Sequence, residues 1–311
     1  MRKNIIKGIK PFNDLYFRSC YYHQLLAGLS AFNIDKDEVL LSFYTLSCDN
    51  FKFIELDFNK IKDYQKSLSY KLKPININRN KLVKLIDKGN PLIIGIDCFY
   101  LDSKEETYHK LHEPHFILAY GYDLDKDEVN IVEHDYKNDY NYTTKVISLS
   151  NLLLANKKFK YISKRSKTCR IIMKNESKKS NYSIFKFLTK DALENSFKAS
   201  KNNLDKLSNM ISNNLSLLLD NQKLLSDYLL KMKMNYYLIN QTKLFNDKDT
   251  SNTLDELTNA YSFILSLMWK IGYVKNTKII EKNKESILRK INEIMSLEEK
   301  AKEIIIAVPK K

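Results

Sequence analysis

The sequence predicts an α+β first domain, a central helix against an antiparallel sheet, followed by an all-α helical domain. Three observations carry this reading. From residue 1 to about 175, short apolar runs alternate with helical patches and turn signals. From about 180 onward the only glycine is Gly272, and the apolar residues recur with a helical period. Between the two textures lies KNESKKSN, Lys174 to Asn181, a polar linker. The expected domains are therefore 1–175 and 180–311.

The chain of 311 residues is long for one core and sufficient for two, and 43% hydrophobic and 12% aromatic content supplies the material to fill them. No apolar run is long enough for a signal peptide or a membrane span, so a soluble, cytoplasmic protein is expected. Cys20, Cys48, Cys98 and Cys169 lie far apart with no CxxC pair. That argues against a zinc knuckle or a disulfide framework and for free thiols. The net charge is +15, but Lys and Arg are spread along the chain rather than gathered into a block interleaved with aromatics. Nucleic acid is therefore not the expected partner, whereas an acidic protein is compatible.

In FRSCYYHQLLAGLSAF a helix begins, with Ser19 as N-cap and Cys20 at the first helical position. A thiol there faces free backbone N–H groups and the positive end of the helix dipole, which favour the nucleophilic thiolate. The alternative is a buried structural cysteine. KLVKLIDKGNPLIIGID reads as helix, turn and buried strand. EPHFILAYGYDLDKDEVNIVEHD reads as a hairpin with strands Phe116–Tyr122 and Val129–Glu133 around a turn at Asp123–Asp127. Opposed residues of an antiparallel hairpin have a constant index sum. A turn centred near Asp125 sets it near 250 and lays His115 opposite Asp135. A carboxylate beside an imidazole fixes its tautomer and stabilises the imidazolium, so Cys20, His115 and Asp135 are the expected catalytic set.

Cys, then His, then Asp is the chain order of papain-like thiol enzymes. PLIIGIDCFYLD followed by HEPHFILAYGYDLDKDEVNIVEHD resembles the N-terminal domain of the butirosin biosynthesis protein H family, itself related to papain-like bacteriocin-processing peptidases. The matching pieces are Cys20, Asp97, Tyr100 with Leu101, His115 with Gly121-Tyr122-Asp123, and Asp135, over roughly residues 10 to 170. The resemblance implies transfer of an acyl group from a carrier-protein thioester to Cys20 and on to a small amine, as in peptide-antibiotic biosynthesis, without a cofactor. A hydrolase or peptidase of the same fold, or a catalytically silent binding protein, uses the same residues.

Papain-like enzymes carry a Gln upstream of the nucleophile for the oxyanion. Here that region holds Asn13 and Asp14, and Asn13 with the Cys20 backbone N–H is the expected donor pair. Asp97, at a strand end, either holds a cationic amine acceptor or caps the turn; Tyr100 beside it is the third substrate-binding candidate. His23 is expected to be structural. His109, His112, Glu113, His115, His134 and Asp135 are dense, but Pro114 interrupts them and no second ligand pair has a familiar spacing, so no metal is expected. Cys98, at a strand end without a helix dipole, ranks behind Cys20.

The helical half shows three stripes. Ile211, Leu218, Leu225, Met232 and Ile239 recur every seven residues as the seam of one long helix. Leu254, Leu257, Tyr261, Ile264, Met268 and Ile271 form a second, opened by a Thr253–Glu256 capping box. Ile287, Ile291, Ile294, Leu297, Ala301 and Ile304 form the third. An intramolecular bundle is expected; the same seam would also serve a homodimer.

Overall fold

The computed structural model describes residues 2–13, 20–40, 47–54, 69–135, 141–176, 190–242, 245, 247–274 and 278–307. Ser19, Asp14 and most of the linker lie outside them. The chain divides into two compact units, residues 1–36 with 65–181, and residues 37–64 with 182–311. Residues 37–64 group with the helical half. In chain order the first unit begins with β1 (Lys3–Ile5) and α1 (Cys20–Ser30). Residues 37–64 carry α2 (Asp37–Leu40), β2 (Ser47–Asp49) and β3 (Lys52–Ile54). The first unit resumes with β4 (Tyr70–Ile75), α3 (Arg79–Asp87), β5 (Leu92–Asp97), a 3₁₀ turn (Cys98–Tyr100), β6 (Pro114–Asp123), β7 (Glu128–His134), β8 (Tyr142–Ser148), α4 (Leu149–Ser163) and β9 (Cys169–Lys174).

The first unit is built on an antiparallel sheet of order β4-β9-β5-β6-β7-β8, with β1 added to the far end of β6. The α+β class is as expected. Alternation along the strands gives each face its helices. Ile94, Ile96, Ile117, Ala119 and Ile131 point into a core closed by Leu82, Val83 and Ile86 of α3 and Leu149, Leu152 and Ala155 of α4. Helix α1 lies against the opposite face, where the space a side chain on Gly28 would need is filled by Ile172 and Leu118. The β6–β7 register is Leu118↔Val132 and Ala119↔Ile131, sums of 250, changing to 251 beyond a bulge at Gly121↔Asn130. The hairpin is thus in the expected register at the end that carries His115.

The second unit continues with α5 (Lys190–Asn213), α6 (Leu215–Asp220), α7 (Gln222–Asn240), α8 (Lys248–Val274) and α9 (Lys278–Ala307). All five residues of the seven-residue seam are buried within this one chain. They do not lie on one helix. Asn214 accepts from Leu217 N–H and starts α6, and Asn221 donates to the Leu217 carbonyl as α6 ends. Asparagine side chains that take over backbone hydrogen bonds divide the helix while leaving its apolar period intact. Helix α8 likewise starts before the expected box. Asp247 caps it by accepting from Thr250 N–H at 2.9 Å, and Thr253 is already inside, its hydroxyl on the Asp249 carbonyl. The β2–β3 turn packs in the same unit, with Phe51 N–H donating to Asn203 Oδ1 and its ring edge-on to Tyr228. Those contacts draw residues 37–64 to the helices.

Candidate active site

Cys20 opens α1, as the sequence indicates, and is half-buried. His115 stands one residue into β6, beside Ile96 of β5, on the face that carries Ile117. The two are neighbours: Cys20 is among the groups that push the His115 ring towards its protonated form. On its other side, His115 Nε2 lies 3.0 Å from Glu133 Oε1. With Nε2 committed to a carboxylate, Nδ1 is the nitrogen left for sulfur.

The acid on His115 is therefore Glu133, which corrects the expected Asp135. The register holds, yet the contact is diagonal. In an antiparallel pair the side chain two places along shares the face and lies within reach of a long residue. Glutamate has that length and points inward, whereas Asp135 at the strand end faces Lys145 Nζ at 3.4 Å. Glu133 Oε1 also receives Lys104 Nζ at 2.8 Å and the His134 N–H. Glu133 is 0% and Lys104 1% exposed.

A carboxylate and an ammonium this deep remain charged only because each compensates the other. Burial would push the Glu133 carboxyl up; the His115 and Lys104 charges and hydrogen bonds outweigh it and hold it down at about 2. Burial would push His115 down; the Glu133 charge, its acceptance of the ring N–H and the neighbouring Cys20 carry it up to about 9. At neutral pH the ring is an imidazolium held between sulfur and carboxylate.

The other thiols differ. Burial pushes Cys98 up to about 12 despite the nearby Lys104 charge. Burial also pushes Cys169 up to about 11, although Thr168 and Asn156 hydrogen-bond to its sulfur. Both are free and buried, while Cys20 is the accessible one of the three.

The substrate-binding candidates fare differently. Asn13 is turned onto the backbone of β8: its Oδ1 accepts from Tyr142 N–H at 2.6 Å and its Nδ2 donates to the Tyr142 carbonyl at 3.3 Å. Its amide fixes the strand start rather than an oxyanion. Asp97 is 1% exposed, with Oδ1 capping Phe99 N–H and Oδ2 on His112 Nδ1 at 2.7 Å. Its carboxylate closes a turn, and the imidazole of His112, stacked on Phe99, occupies the place expected for an amine. Tyr100 follows in the 3₁₀ turn, with Lys158 Nζ over its ring at 5.4 Å. His23 is 2% exposed, bonded to the Phe12 carbonyl and stacked on Tyr142, an anchor for α1.

Sequence reasoning missed Glu133 and Lys104. The signal for Glu133 was its parity: with Val129 and Ile131 it occupies the inward positions of β7, and a charge there requires a partner. Nothing local in DSKEET marks Lys104 as that partner. Among the described residues no helix is long and apolar enough to cross a membrane. Neither a protein-family model nor a curated protein matches the chain.

Proposed function

We propose that the first unit is a cysteine-dependent acyltransferase that takes an acyl group from a carrier-protein thioester and passes it to an amine through an S-acyl Cys20. One observation carries the chemistry: His115, a neighbour of Cys20 at the start of α1, has its Nε2 on the buried Glu133, itself paired with Lys104. That is a nucleophile, a general base and an orienting group side by side. Donor and acceptor come from the resemblance of the strand and hairpin segments to the butirosin biosynthesis protein H family. Free thiols at Cys20, Cys98 and Cys169 fit the reducing cytoplasm in which such a reaction would run.

In the first half-reaction the Cys20 proton resides on His115 and the sulfur attacks the thioester carbonyl. The tetrahedral oxyanion, met by the Cys20 backbone N–H at the helix start, collapses. The C–S bond to the carrier breaks, and the imidazolium gives its proton to the departing carrier thiol. In the second half-reaction the amine attacks the S-acyl carbonyl and His115 takes its proton. The Cys20 sulfur leaves, and the product is an amide. Glu133 keeps the ring oriented and its positive charge stabilised through both halves; Lys104 keeps Glu133 ionised.

The test presents an acyl-carrier thioester with and without a diamine. Amide formed only with the diamine, and lost in Cys20→Ala, supports the reading; free acid alone in both reactions makes the enzyme a hydrolase. No turnover in either leaves a silent binding protein.

A further inference from the structure

The second unit holds a buried carboxylate with no role in the thiol chemistry. Glu298 of α9 is 3% exposed. Its Oε1 accepts three hydroxyl hydrogen bonds, from Ser200 of α5 at 2.9 Å, Tyr236 of α7 at 2.7 Å and Tyr261 of α8 at 2.7 Å. Tyr228 joins through Ser200 at 3.2 Å. Four helices thus converge on one oxygen. Among the described residues no lysine or arginine forms an ion pair with this carboxylate, and no hydrogen bond reaches Oε2.

Glu298 instead lines a cavity of about 600 Å³ between α5 and α9. Its walls include Phe197 and Met295, and its rim carries Lys198, Lys201 and Lys302. Lys302 is paired with Glu299 at 2.7 Å. Lys198 and Lys201 are exposed and, among the described residues, take part in no ion pair. The size is that of a small-molecule site, and the lining is mostly charged, with Glu194 and Glu299 beside the lysines and Phe197 and Met295 as its apolar part.

We propose that this cavity binds a small zwitterion, with its ammonium group on Glu298 Oε2 and its anionic end at Lys198 and Lys201. A buried carboxylate costs least when a cation accompanies it, and Glu298 lines the cavity. Three hydroxyl donors on Oε1 leave Oε2 as the acceptor for an N–H. The two lysines select an anion at the opposite end, and Phe197 and Met295 cover the alkyl stem between. Burial, only partly offset by the three hydroxyls, raises the Glu298 carboxyl. The site is independent of Cys20.

The experiment is calorimetric titration of the full chain with the ω-amino acids from β-alanine to 6-aminohexanoate, against hexanoate and hexylamine. The expected result is that one ω-amino acid binds at least tenfold tighter than either control. Glu298→Gln removes the advantage over hexanoate, and Lys198→Ala with Lys201→Ala removes the advantage over hexylamine. The lysines are exposed, so the double variant folds and carries the test even if Glu298→Gln does not. Equal binding of hexanoate would make the site an anion site on a protonated Glu298 and overturn the proposal. Equal binding of hexylamine, no binding by any ω-amino acid, or binding unchanged in the lysine variant would overturn it too.

Discussion

Glu133 and Lys104 are buried together, and replacing Glu133 removes the carboxylate that faces both the Lys104 ammonium and the His115 ring. Loss of one partner from such a pair costs about 3–5 kcal/mol. Glu133→Gln is therefore expected to lower stability by that order and to slow Cys20 acylation, because His115 loses both its orienting acid and the charge that holds it protonated. Asp135→Asn, at a partly exposed pair with Lys145, should cost no more than about 1 kcal/mol and leave acylation near wild type. Urea melts and single-turnover acylation of the two variants distinguish the carboxylates; equal losses would restore Asp135 to the site.

The same cluster sets a pH dependence. His115 is raised from 6.5 to about 9, so its contribution to stability is complete below about pH 6.5 and disappears as pH rises through about 9. Glu133 is lowered from 4.5 to about 2, so its contribution is present above about pH 4.5 and lost as pH falls through about 2. The melting temperature of the first unit should decline on the alkaline side between about 6.5 and 9, and Glu133→Gln should flatten that limb. An alkaline limb unchanged in the variant would contradict the linkage.

At the level of elements, the close approach of α1 to the sheet positions Cys20. A Cβ on Gly28 would stand 2.1 Å from Ile172 Cδ1 and 3.2 Å from Leu118 Cδ1, both fully buried. Gly28→Ala should destabilise by about 1–3 kcal/mol through overpacking and displace the helix that carries the nucleophile. A denaturant midpoint unchanged from wild type would contradict that packing.

The helix start at Cys20, strand β5 and the His115 hairpin were legible because each is a local pattern: a periodic apolar run, a strand after a Gly turn, two strands about a polar turn. The register was legible for the same reason, through its index sum. The choice of acid was not, since opposition and diagonal contact differ by side-chain length and by a lysine 29 positions away. Nor was the division of the long helix at Asn214 and Asn221, where a side chain competes with the backbone without disturbing the apolar period. Asp97 and Asn13 were placed near the right elements, but their hydrogen bonds to His112 and Tyr142 join segments that no spacing connects.

For the molecule as a whole, the chain builds two units with different contents, one around a sheet and a thiol, the other around helices and Glu298. A net charge of +15 is compatible with the acidic carrier protein of the proposed reaction. Association with an acidic carrier protein is expected to weaken steeply as salt rises past the point where the screening length falls below about 10 Å. A carrier affinity independent of ionic strength would remove charge from the account of recognition.

The most direct measurement of the central claim is peptide mapping after a short incubation of the native protein with an acyl thioester. The account predicts an acyl adduct on the Cys20 peptide, absent in Cys20→Ala, strongly slowed in His115→Ala, and not formed on Cys98 or Cys169. No adduct at Cys20, or equal labelling of the buried thiols, would contradict it.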